Sequence, residues 1–155
     1  ALPISGREVG RAVIDEGHRA GLVVAGHLGN YQAADAVADG IDVLEHIWSV
    51  LNYSFAPGAP RNRATLDLMN PTAVALRELI VSKKTMVDPT LAVFRNMILL
   101  PDVPGVRDHP DNELAPRRLR EFWPKYLARS GCPQGGPLED RRREFAKFQE
   151  LTGKL

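Results

Sequence analysis

"VVAGHLGNYQAADAVADGIDVLEHI", residues 23–47, decides how this chain folds. It holds two apolar runs, and each ends on a histidine: "LVVAG" leads into His27 and "IDVLE" into His46. Between them, after a Gly-Asn turn, "YQAADAVADG" reads as a short helix closed by Gly40. Strand, helix, strand at this spacing is a parallel βαβ unit, with a right-handed crossover.

The pattern extends outward in both directions. Upstream, Ser5 and Glu8 form an S-x-x-E capping box, in which each side chain satisfies a backbone N–H at a helix start. Val9, Ala12, Val13 and Ala20 then recur at roughly helical spacing, and Gly21 suits the residue just past the helix end. Downstream, Trp48 to Arg63 reads as a loop carrying Pro57 and Pro60. Asn70 is placed as an N-cap with Pro71 at the first helical position. "PTAVALRELIVSKK" sets Val74, Leu76, Leu79 and Ile80 largely on one side, and its two lysines suit a helix C-terminus. "TMVDPTLAVF", residues 85–94, is a third strand candidate interrupted by Pro89. A proline-rich loop follows from Leu100 to Pro116, and two helices finish the chain, about Arg117 to Ser130 and Leu138 to Thr152. The first of these carries Leu119, Phe122, Trp123 and Tyr126.

Alternating strands and helices imply an α/β class with a parallel sheet. Three strands leave both sheet edges open, and a full (β/α)8 TIM barrel needs eight strands and about 250 residues. The expectation is therefore one partial domain over 1–155: barrel βα units over 1–99, then a loop and C-terminal helices over 100–155. Bulk numbers agree with a soluble globular domain, at 44% hydrophobic and 25% charged residues. A net charge of +1 advertises neither nucleic acid nor an anionic membrane surface. Apolar runs fall far short of the roughly 18 residues of a membrane span. The single cysteine, Cys132, excludes an intrachain disulfide and leaves the compartment open. The opening "ALPISGREV" has no initiator Met and no signal pattern, which reads as a processed or partial chain.

Chemistry in such architectures gathers at the C-terminal ends of parallel strands. His27 and His46 both occupy that position on strands adjacent in sequence, and two converging neutral imidazoles are a start for a zinc-type site. Catalytic zinc takes three protein ligands plus water, and neither His18, on the first helix, nor His109, in a polar loop, is well placed to be the third. Glu45 should face away from its neighbouring ligand across the pleat and reads as structural. Asp42 reads as a local cap or hydrogen-bonding residue. Tyr31, Asn52 and Tyr53 lie in loops able to line a substrate pocket, Tyr31 being the substrate-binding candidate.

"EGHRAGLVVAGH" and "GIDVLEH", in this order and separation, resemble the segment across the fifth and sixth strands of the amidohydrolase superfamily, in its imidazolonepropionase-like and prolidase-like branch. "TMVDPTLAVF" resembles the seventh strand, which in that family often carries Pro-Thr-Leu. The resemblance covers roughly residues 5–95. It implies that His27 and His46 ligate one divalent metal, commonly zinc, in a centre of one or two ions. That metal would make hydroxide available near neutral pH and polarise the carbonyl of a small-molecule amide, non-peptide or dipeptide. The family's His-x-His, its bridging Lys or Glu and its "GTD" aspartate have no counterpart in these 155 residues. The resemblance therefore implies a fragment over strands five to seven, inactive alone.

Two other readings exist. "GHLGNYQ" also resembles the "HxGNWE" of lipid A-type acyltransferases, but Gln32 stands where an acid would orient the histidine. A small α/β binding or assembly module would instead pair its open sheet edges with a partner, a second copy included, and leave both histidines merely hydrogen-bonded.

Overall fold

Helix α1, Arg7–Arg19, begins on Gly6, whose side-chain-free N-cap makes no capping bond. The structure is a computed structural model that describes residues 6–55, 66–99, 108–122 and 137–155, so Ser5 of the expected capping box lies outside it. The helix ends as its sequence suggests. Gly21 takes a left-handed conformation (φ 72°), and the Leu22 N–H reaches back to the Gly17 carbonyl at 2.9 Å, a Schellman closure. The face that packs differs from the one expected: Ile14 is buried, while Val9 and Val13 are about half exposed.

Three short strands follow in chain order, β1 (Ala25–Gly26), β2 (Val43–Glu45) and β3 (Met86–Asp88). They form one parallel sheet ordered β1-β2-β3. Ala25 pairs with Val43 and Val43 with Met86; Gly26 pairs with Leu44 and Leu44 with Val87; Glu45 pairs with Asp88. The first crossover carries α2 (Ala33–Ala38), and the second carries α3 (Trp48–Leu51), a 3-10 turn (Asn52–Ser54) and α4 (Pro71–Lys83). Right-handed crossovers that always step the same way put their helices on one face, and α2 and α4 do pack together. Part of the expected Trp48–Arg63 loop is thus helical, and Pro57 and Pro60 lie outside the described residues. Asn70 caps α4 as expected, accepting the Thr72 N–H at 3.0 Å with Pro71 next in line.

The third strand is shorter than its sequence suggested. Pro89 has no N–H to offer a ladder, so β3 stops at Asp88. "LAVFRNMIL" then forms α5, Leu91–Leu99, burying Phe94 and Ile98 four residues apart. The last helix, α6 (Leu138–Thr152), packs on α5. Its Arg141, 7% exposed, donates to the Ile98 carbonyl at 3.0 Å. Of the helix expected over 117–130, residues 117–122 are helical and the remainder, with Trp123 and Tyr126, is outside the described residues.

The core lies on the helical side of the sheet. Leu44, fully buried, shares one cluster with Ile14, Val37, Ile41, Leu76 and Ile80. Burial alternates along β1 and its flanks: Val24, Gly26 and Leu28 are buried, and Val23, Ala25 and His27 are exposed. On the opposite face Ala25 and Met86 are exposed and Val43 and Glu45 half-buried, so the described residues leave that face largely uncovered.

Asp42 fixes the register at the strands' N-terminal ends. Its carboxylate accepts the Val24 N–H at 2.7 Å and bonds His18 Nε2 of α1 at 2.8 Å. Its own N–H donates to the Val24 carbonyl and its carbonyl accepts the Met86 N–H. The expected local cap is a cross-strand staple instead. The Val24 N–H, then His18, hold the Asp42 carboxyl below its ordinary 3.8. A carboxyl depressed in the folded state contributes stability that is full above 3.8 and lost as pH falls through the folded value. With its side chain 36% exposed, Asp42→Ala should cost up to about 1 kcal/mol at pH 7, and urea titrations should show that this cost shrinks as the pH drops below 3.8.

Candidate metal half-site

His27 and His46 meet. Their ring centres are 5.1 Å apart, with the planes at 61°. Strand pleating alone does not bring this about. His27 continues the exposed parity of Ala25, whereas His46 shares the parity of buried Leu44, so regular alternation would send the two rings to opposite faces. The chain leaves the pleat at His46, whose φ of 67° lies in the left-handed region. For a residue with a Cβ that conformation costs about 1–2 kcal/mol, and it brings the second imidazole beside the first.

The His46 ring is held from two further directions. Its Nδ1 is 3.0 Å from Thr90 Oγ1, and Phe94 stands edge-on to it at 6.4 Å. Thr90 is itself left-handed, at φ 45°, an uncommon state for a β-branched residue. Its N–H donates to Asp88 Oδ1 at 2.8 Å, and its carbonyl accepts the N–H groups of Val93 and Phe94 that open α5. Behind Phe94, Trp48 and Phe148 complete an edge-to-face triangle with centres 5.2–5.6 Å apart. Trp48 is thereby part of the packed core's margin. Sequence reasoning passed over Thr90, although it stands in the Pro-Thr-Leu of "DPTL".

Among the described residues no third His, Cys, Asp or Glu joins the pair. His18 is engaged with Asp42, and His109 accepts the Asp111 N–H at 3.2 Å in an exposed turn. Glu45 is half-buried in β2, in register with Asp88. Its parity is that of exposed His27 and opposite to Leu44.

Tyr31 lies elsewhere. It is 2% exposed and donates its hydroxyl to Asp39 Oδ2 at 2.8 Å. Asp39 also receives Arg7 of α1, which bridges to Asp35 as well. Burial, and then the bond to Asp39, push the Tyr31 phenol well above its ordinary range, and Arg7 holds Asp39 below its own. Arg7 thus joins α1 to α2, and the Tyr31 hydroxyl shares its Asp39 partner. Asn52 and Tyr53 do line an open polar cleft of about 600 Å³, with Gly29, Asn30, Gln32 and Thr72. The Tyr53 hydroxyl there accepts the Ala34 N–H at 3.1 Å. Neither Tyr31 nor the histidine pair is in that lining.

Tyr31→Phe, which keeps the ring and removes the hydroxyl, should lower stability by about 1 kcal/mol in urea unfolding. No family model, curated protein or solved structure matches the chain.

Proposed function

We propose that this chain is a section of a metal-dependent amidohydrolase barrel, in which His27 and His46 are two ligands of a divalent ion, zinc by donor type. The observation that carries the reading is the histidine pair itself. Zinc sits about 2.0–2.1 Å from an imidazole nitrogen, hence about 3.2 Å from the ring centre. Two such rings at the tetrahedral angle stand about 5.2 Å apart, and these stand at 5.1 Å. The ring separation is compatible with two ligands of one ion.

The surroundings support a barrel section. In a (β/α)8 barrel successive strands are neighbours, and every helix lies outside. The order β1-β2-β3 with α2 and α4 together on one side is the same arrangement. The uncovered face with Ala25, Val43 and Met86 would then be the barrel interior. Leu22 and Val23 before β1 (62% and 71% exposed), with Val9 and Val13 on α1, would meet the preceding unit. Val93 and Met97 on α5 would meet the following one.

When bound, a divalent ion in such a site acidifies water and polarises the carbonyl of an amide, the chemistry that cleaves a C–N bond. In the described residues the chain's own contribution is two nitrogen ligands on a rigid sheet end. The further ligands and the general base would come from other strands, so the substrate would be a small amide reached through loops of the whole barrel. Among the described residues the outer edges of β1 and β3 are unpaired, which also favours a second reading, a module that pairs with a partner strand and has no use for metal.

Titration of the purified chain with Zn²⁺ or Co²⁺ separates the two. The expected result is saturable binding that weakens at least about tenfold in His27→Ala and in His46→Ala, with no amide hydrolysis. Affinity indifferent to both substitutions would favour the pairing module. Metal-dependent turnover by the chain alone, abolished in His46→Ala, would overturn the fragment reading.

A further inference from the structure

We propose that Thr90 is the positioning residue of this half-site: its hydroxyl accepts the Nδ1–H of His46 and so holds the ring in the tautomer whose bare nitrogen is Nε2. The purpose of that tautomer rests on the two histidines being metal ligands, but the tautomer itself is readable without metal.

A neutral imidazole carries one proton on one of two nitrogens, and only the bare nitrogen has a lone pair for a cation. The other ring N–H of a ligating histidine usually finds an oxygen partner, which fixes both tautomer and ring orientation. At His46 that partner is the Thr90 hydroxyl, 3.0 Å from Nδ1. Without it the proton is free to sit on Nε2, where it removes the lone pair.

Thr90 is anchored for this task from both sides. Asp88 Oδ1, at the end of β3, takes its N–H at 2.8 Å. Its carbonyl starts α5 through Val93 and Phe94, and Phe94 closes on the same histidine ring. Backbone needs alone do not account for the residue type. At φ 45° a glycine or an asparagine fits with less strain than a β-branched side chain, so the hydroxyl is what threonine contributes. His46 and Thr90, 44 residues apart, are both left-handed and are bonded to each other across the ends of β2 and β3. Each unusual backbone turn aims its side chain at the other.

The test uses the purified chain in metal-free buffer near pH 8, where an ordinary imidazole is neutral. Long-range ¹H–¹⁵N spectra read which nitrogen of His46 carries the proton. The expected result is Nδ1–H in the wild type and in Thr90→Ser, which keeps the hydroxyl, and a mixed or Nε2–H ring in Thr90→Val and Thr90→Gly. Thr90→Gly relieves left-handed strain of a size similar to the hydrogen bond it loses, so it should stay folded, which separates loss of the tautomer from loss of the fold. In Zn²⁺ titrations Thr90→Val and Thr90→Gly should bind about tenfold or more weakly, and Thr90→Ser close to wild type. A wild-type His46 protonated on Nε2, or a tautomer unmoved by Thr90→Val and Thr90→Gly, overturns the proposal. If Zn²⁺ binding requires both histidines but ignores Thr90→Val, the positioning role falls and the metal reading stands. If the tautomer follows Thr90 while Zn²⁺ affinity ignores both histidines, the metal reading falls and the positioning of the ring stands.

Discussion

Asp42 donates, accepts and accepts again at the point where all three strands begin. Its side chain takes the Val24 N–H and His18, its N–H goes to the Val24 carbonyl, and its carbonyl takes the Met86 N–H. The strands are only two or three residues long, so their ladder offers few bonds with which to set a register. A slip of one residue in a parallel pair would exchange the two faces of a strand. A slip of β2 would carry Leu44 out of the core, and a slip of β1 would carry His27 into it. The staple at one end of the sheet is thus what allows a defined pair of side chains at the other, and it does so from inside "GIDVLEH" itself.

Register alone still leaves the histidines on opposite sides of the sheet. The geometry is closed by two left-handed residues, His46 and Thr90, and conformations of this kind cost about 1–3 kcal/mol each and persist only where neighbours over-determine them. The neighbours here are specific. The Thr90–His46 bond, the Asp88 carboxylate on the Thr90 N–H, and the Trp48, Phe94 and Phe148 triangle all converge on the same turn. Helix α6 enters this set through Phe148, fully buried although it lies 102 positions after His46. The C-terminal helix therefore backs the site as well as the core.

How much of this was legible in the sequence depends on the range of each interaction. Helix α4 was plain because Asn70, Pro71 and the closing lysines are local signals. The strand positions and the two histidines were plain because apolar runs and turn glycines are also local. Helix α5 was not: "TLAVF" is β-branched and apolar enough to pass for a strand, and only Pro89 together with the Leu91, Phe94 and Ile98 spacing argues otherwise. The buried face of α1 was misread because Val9 and Val13 are apolar, yet the described residues offer them no partner. Tyr31 looked like a loop residue at a strand end, but its hydroxyl is committed to Asp39, a carboxylate held in turn by Arg7 of α1 at long sequence range. Thr90 was hidden for the same reason: a hydroxyl becomes informative only when the residue opposite it is known.

The uncovered face of the sheet bears directly on the site. Parallel sheets are ordinarily buried on both faces, because their crossover helices and their closure leave no wet side. In this chain the described helices cover one face, and the other presents Ala25, Met86 and the half-buried Val43. His27 shares the parity of that uncovered face, so on the proposed metal reading further ligands would approach the pair from there or from beyond the sheet edges. Cover for an exposed apolar sheet and completion of a metal centre are usually separate demands. On the proposed reading they point in the same direction: whatever buried Ala25 and Met86 would also be in position to bring a third ligand. A partner that merely extended β1 or β3 edge to edge in an open sheet would leave Ala25 and Met86 exposed. That asymmetry is the physical reason we propose a barrel section rather than a pairing module.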